Sequence, residues 1–84
     1  MAARKRKEFG EYIVSDSGIC GGDLTFKGMR ILVKDVLHFV AKGYDWKYIS
    51  SEYDDRLSDE AIAEAIDLAR QFLIQKTEKQ RRAA

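Results

Sequence analysis

Apolar and polar positions change period twice along the chain. Tyr12-Ile13-Val14 is a short β-prone run, and Ser15-Asp16-Ser17-Gly18 has the turn chemistry to end it. Leu24-Thr25-Phe26 and Met29-Arg30-Ile31 flank Lys27-Gly28, where glycine supplies the positive φ of a tight turn, so this stretch predicts a hairpin. From Val33 the period becomes helical: Val33, Val36, Leu37 and Val40 fall on one face, with Lys34, Asp35, His38 and Lys42 opposite. That predicts a helix over 33–42, stopped by Gly43. Asp45 is placed to cap a two-turn helix with Trp46, Ile49 and Tyr53 as its buried stripe and Lys47, Tyr48 and Ser51 outward. Asp54-Asp55-Arg56 breaks the pattern, and Ser58 is the expected N-cap of a long third helix whose first turn holds Asp59 and Glu60.

The third helix is apolar over an unusually wide arc. Ala61, Ile62, Ala65, Ile66, Leu68, Ala69, Phe72 and Leu73 span about 160° at 100° per residue, which implies two contact surfaces. Ile62, Ile66, Ala69 and Leu73 are assigned to the first two helices. The shoulder of Ala61, Ala65, Leu68 and Phe72 is left for the N-terminal strands or another subunit; the simpler alternative places both halves in one small core. The opposite stripe is Glu60, Glu64, Asp67, Gln71 and Gln75.

The 84 residues suffice for one domain with a modest core, so a second copy or a partner would add stability. The organisation expected is a basic flexible arm over 1–10, a domain over 11–76 and a basic tail over 77–84. A net charge of +1 conceals basic ends and an acidic body: residues 1–10 and 76–84 each sum to +3, leaving −5 between them. Such ends suit phosphate backbones, or are simply solvated. One cysteine excludes an internal disulfide and suits a cytoplasmic protein. No apolar run is long enough for a membrane span, and no secretory segment follows Arg4-Lys5-Arg6-Lys7.

Catalytic chemistry finds little support. Gly21-Gly22 lacks the Gly-Lys-Ser/Thr of a phosphate-binding loop, His38 reads as a surface histidine, and Cys20 has no histidine at a suggestive spacing. Glu52, Asp54 and Asp55 are explained as an interhelical loop without invoking Mg²⁺. No enzyme activity, cofactor or metal is expected.

The order Cys20-Gly21-Gly22, then Gly28-Met29-Arg30-Ile31, then a helix ending at Lys42-Gly43, a short helix, and Leu57-Ser58-Asp59-Glu60 opening the next resembles domain of unknown function 433. The likeness covers about Tyr12 to Phe72. Leu24, Met29 and Asp54 stand where the family's usual wording has Pro, Thr and Pro. The resemblance implies a small helix-turn-helix-like protein, and an antitoxin paired with a PIN-like nuclease toxin.

The fold class expected is α+β, mainly α: short N-terminal strands with a hairpin, then a three-helix, helix-turn-helix-like unit of homeodomain or winged-helix type. Its acidic third helix is poorly suited to the major groove. Contacts to operator DNA are therefore assigned to Arg4, Lys5, Arg6 and Lys7 of the arm, Lys27 and Arg30 near the hairpin, and Lys47 and Tyr48 on the second helix. Phe39, Leu68 and Phe72, with Lys79, Arg81 and Arg82 of the tail, are the candidates for toxin or homodimer contact. The expected function is an antitoxin that neutralises the nuclease, with DNA-binding autoregulation as a second activity. The alternative is a protein-interaction module that binds no DNA.

Overall fold

A computed structural model describes residues 5–83, with side chains through Thr77. Three short strands, β1 (Arg6–Glu8), β2 (Ile13–Asp16) and β3 (Leu24–Phe26), form an antiparallel meander in that order. Arg6 pairs with Asp16 and Glu8 with Val14, while Ile13 pairs with Phe26 and Ser15 with Leu24. Within the basic flexible arm expected over residues 1–10, Arg6–Glu8 is an edge strand of this sheet, and residues 1–4 lie outside the described residues. β2 would otherwise leave a row of N–H and C=O groups unpaired, and bonds from Phe9 N to Ile13 O and from Ser17 N to Lys5 O extend the ladder at both ends. All three β1 side chains are exposed and charged, a composition that discourages further strand addition and hides the strand from hydrophobic periodicity.

β2 runs on through Asp16 instead of ending at Ser15. The turn that follows is local: Gly18 N–H donates to Asp16 Oδ1 at 2.9 Å. Lys27-Gly28 turns as expected, with Gly28 at φ +73, but Met29–Ile31 is not a second hairpin strand. One bridge, Thr25 to Leu32, and the bond from Phe26 N to Ile31 O are the pairing made there. The chain enters helix α1 (Val33–Ala41) immediately afterwards, which leaves no length for a longer ladder.

α1 ends in a Schellman motif: Tyr44 N donates to Phe39 O and Gly43 N to Val40 O, with Gly43 at φ +88. Helix α2 (Trp46–Glu52) is capped by Asp45, whose Oδ1 accepts from Tyr48 N–H at 2.8 Å. Helix α3 (Asp59–Ala83) starts at Ser58, whose Oγ accepts from Ala61 N–H at 3.1 Å. These three boundaries follow the local signals in the sequence. The end of α3 does not, because the helix continues through the segment expected to be a tail.

The core joins Ile13 and Phe26 of the sheet, Val33 and Val36 of α1, Ile49 of α2, Leu57 before α3, and Ala61, Ile62 and Ala65 of α3. Trp46, expected inside, lies 38% exposed; α2 is so short that Ile49 is its single buried residue, and Leu57 joins the same core from the chain just before α3. The division of α3 into a core face and a spare shoulder is also corrected. Ala61 and Ala65 are buried together with Ile62, and Leu68 and Ile66 pack against them, whereas Ala69 and Leu73 are exposed. α3 touches α1 and α2 as well as β2, so its whole arc serves one core for its first three turns. Beyond Leu68 that core stops and the helix does not.

Candidate functional site

The apolar stripe of α3 outruns the surface it covers. At 100° per residue, Ala69, Phe72 and Leu73 continue the line of Ile62, Ala65 and Ile66, yet Phe72 is 51% and Leu73 68% exposed. Ile74, on the other side, is 44% exposed. Where the stripe leaves the core it borders an apolar cleft of about 60 Å³ walled by Phe9, Leu24, Leu37, Leu68 and Phe72. The Phe72 ring sits 6.2 Å from that of Phe9, over which the Lys7 ammonium lies at 5.2 Å. Leu68 and Phe72, expected from the sequence to contact a partner, thus share one cleft, and nothing in the apolar pattern signals that Phe9 and Leu24 complete it.

The sequence places Glu64 in the solvent stripe. Instead its Oε2 accepts from Glu11 N–H at 3.1 Å and its Oε1 from Tyr12 N–H at 2.8 Å, tying α3 to the β1–β2 connection. The remaining stripe is local: Asp67 accepts from Arg70 at 2.8 Å and from Gln71 at 2.8 Å, and the Arg70 bond holds its carboxyl below the usual range.

Phe39 is half-buried inside an aromatic group, with Tyr44, Tyr48 and Tyr53 edge-on at 5.6, 6.4 and 6.4 Å. Tyr48 stacks on Tyr44 at 4.8 Å, and both remain exposed. A hydrogen bond to Glu52 raises the Tyr48 hydroxyl above its ordinary pKa. This group lies on α1, α2 and their connection, and shares α1 with the cleft beside Phe72 through Leu37.

The residues expected to contact DNA are distributed over β1 and the residues before it, the turn after β3, and α2. Arg4 lies outside the described residues, as do the side chains of Lys79, Arg81 and Arg82. Arg6 and Lys27 both turn to Glu8, at 3.5 and 3.1 Å, and Lys27 foremost holds that carboxyl below its ordinary pKa. Their charge is largely matched within the sheet. Lys5 is exposed at the sheet edge, where its backbone N–H donates to Ser17 Oγ, and Lys47 is exposed on α2.

Arg30 has no ion pair among the described residues. It lines an open basin of about 720 Å³ together with Arg56, a residue that the sequence marks merely as part of an interhelical loop. The loop's conformation brings Arg56 there. Asp54 and Asp55 both stand at φ +57, Asp55 N donates to Ser50 O at 2.9 Å, and Ser50 Oγ donates to Leu57 O at 2.7 Å. A proline, with φ fixed near −65°, cannot take the Asp54 conformation.

Among the described residues no group of three or more His, Cys, Asp and Glu side chains is placed to hold a metal ion, and no helix is long and apolar enough to cross a membrane. Residues 13–69 match the family model described as Protein of unknown function (DUF433). The match begins with β2 and stops at Ala69, so β1 and the exposed distal part of α3 lie beyond it. No curated protein and no solved structure matches the chain.

Proposed function

The chain belongs to the domain of unknown function 433 family, matched over residues 13–69, and from that premise we propose that it is an antitoxin-type protein that captures a PIN-like nuclease. The observation that carries this reading is the distal part of α3, which extends an apolar stripe through Phe72 and Leu73 after its own core has ended. An amphipathic helix with a bare apolar face is suited to a groove on another protein, with residues spaced three and four apart as anchors. The same stretch is basic, carrying Arg70, Lys76, Lys79, Arg81 and Arg82 against the single acid Glu78. A metal-dependent nuclease needs a cleft of carboxylates, so opposite charge steers the helix to the site that RNA would enter.

Repression of its own operon by binding DNA is the second activity in this reading. The acidic first half of α3 favours a version in which protein capture is the main role and DNA contact lies elsewhere on the molecule. The test is a binding titration with the purified PIN-like nuclease that this reading requires to be encoded beside the chain. Leu73→Asp is expected to weaken capture by about tenfold or more while far-UV circular dichroism stays unchanged, because Leu73 is outside the core. Full affinity in Leu73→Asp removes the distal helix from the mechanism.

A further inference from the structure

Most cations of the described residues that sit near the sheet are already matched. Arg6 and Lys27 share Glu8, Lys34 meets Asp23 at 3.7 Å, and on α3 Arg70 is bonded to Asp67. Among the described residues Lys5, Lys7, Lys42 and Lys47 have no such ion pair either, but Arg30 and Arg56 differ from them in lining one basin. Neither has a carboxylate within 4.0 Å among the described residues, and the two come from turns far apart in sequence to line one basin. Two like charges drawn to one wall with no acid between them repel each other weakly through solvent, and an anion that bridges them removes that repulsion.

The rest of the wall suits a ligand that approaches closely. Gly18 and Gly28 form part of the rim, and beyond Gly28 the space where a side chain would lie is empty, so nothing covers the backbone. Ile19 and Met29, both half-buried, supply apolar surface between the polar groups. Guanidinium pairs recognise phosphate oxygens through paired N–H donors, and short apolar walls fit the carbons of a sugar. A basin this open holds a segment of polymer at its surface and is ill-suited to enclosing a small metabolite.

We propose that Arg30 and Arg56 form a clamp for the sugar-phosphate backbone of duplex DNA. The clamp rests on the DNA-binding half of the reading above and is independent of nuclease capture by α3. It reads no sequence; it positions the protein through charge. Arg6 is not part of it, since it is engaged with Glu8 within the sheet.

Fluorescence-anisotropy titrations of the full chain with a labelled duplex, over a range of salt concentrations, test the clamp. Each phosphate contact contributes about 0.9 to the slope of log affinity against log salt. Arg30→Gln and Arg56→Gln are each expected to flatten that slope by about 0.9, and the double variant by about 1.8, equally on unrelated duplex sequences. Lys42→Gln, which removes one exposed charge at the end of α1, is expected to leave the slope unchanged and serves as the charge control. Both arginines are exposed, so circular dichroism of the variants should match the parent. Duplex binding by the parent with an unchanged slope in the double variant overturns the clamp and leaves DNA binding standing. An equal loss in Lys42→Gln, which would indicate diffuse charge, overturns it too. A parent chain that binds inorganic phosphate but no duplex overturns the clamp together with the DNA-binding reading.

Discussion

Removing the Glu64 carboxylate tests how α3 is held to the sheet. Its two oxygens accept backbone N–H groups of Glu11 and Tyr12, across 53 and 52 residues of sequence. Hydrogen bonds to a charged acceptor contribute about 1.5–3 kcal/mol each, and the exposed Glu11 bond belongs at the low end. Glu64→Ala should therefore cost about 3 kcal/mol, and Glu64→Gln, which keeps one acceptor but turns a donor toward the second N–H, about 1–2 kcal/mol. For a domain this small each kcal/mol corresponds to about 4–8 °C in Tm, so Glu64→Ala lowers Tm by about 12–24 °C. In urea, with m of about 1.5 kcal/mol/M, the midpoint falls by about 2 M. Gly10 supplies an independent arm. A Cβ there would lie 2.6 Å from Glu64 Oε1, on a backbone at φ +109. Gly10→Ala is expected to destabilise the parent by more than about 1 kcal/mol, and by less in the Glu64→Ala background, where only the backbone strain remains. Urea melts of the four proteins, followed by Trp46 fluorescence and circular dichroism, give the cycle. A Glu64→Ala midpoint within about 0.3 M of the parent, or strict additivity with Gly10→Ala, refutes the reasoning.

Other expectations are more local. Asp45→Ala and Ser58→Ala each remove a helix cap and should lower stability by about 1 kcal/mol in the same urea assay. Ile62→Ala, at a fully buried position, should cost about 2–5 kcal/mol and leave a chain of this size near its unfolding threshold. Asp55→Gly relieves a left-handed backbone and should be neutral or stabilising by up to about 1 kcal/mol, whereas a bulky β-branched residue there should be destabilising. The Glu8 carboxyl is held below 4.5 by Lys27, so its contribution is present above that value and is lost as pH falls through the depressed folded value. In an NMR titration, Lys27→Gln should move the Glu8 transition back up; an unmoved transition would show that the ion pair at 3.1 Å has no electrostatic effect.

Helix boundaries were the most legible part of the fold, because Gly43, Asp45 and Ser58 act through bonds to their own neighbours. β1 was not legible: Arg6, Lys7 and Glu8 are exposed and contribute backbone pairing, which leaves no apolar period to detect. The face of α3 is wide enough to invite two surfaces, and only the packing shows that its first three turns face one core while the excess lies further along the helix. Glu64 reads as a surface acid since nothing in its sequence neighbourhood names the N–H groups of Glu11 and Tyr12. The cations were visible as charges, but their pairing was not, and Arg56 lines the same basin as Arg30 after an Asp54-Asp55 turn that composition describes merely as a break.

Growth rescue by a shortened chain tests the central claim most directly. The PIN-like nuclease that the reading requires beside this chain is co-expressed either with the full chain or with a chain ending at Arg70. The shorter form keeps every core residue of α3 and removes Phe72, Leu73 and the basic stretch that follows. The full chain is expected to restore growth, and the shortened chain to accumulate as a folded protein yet fail to do so. Equal rescue by both contradicts capture through the distal helix, and failure of the full chain contradicts the antitoxin reading itself.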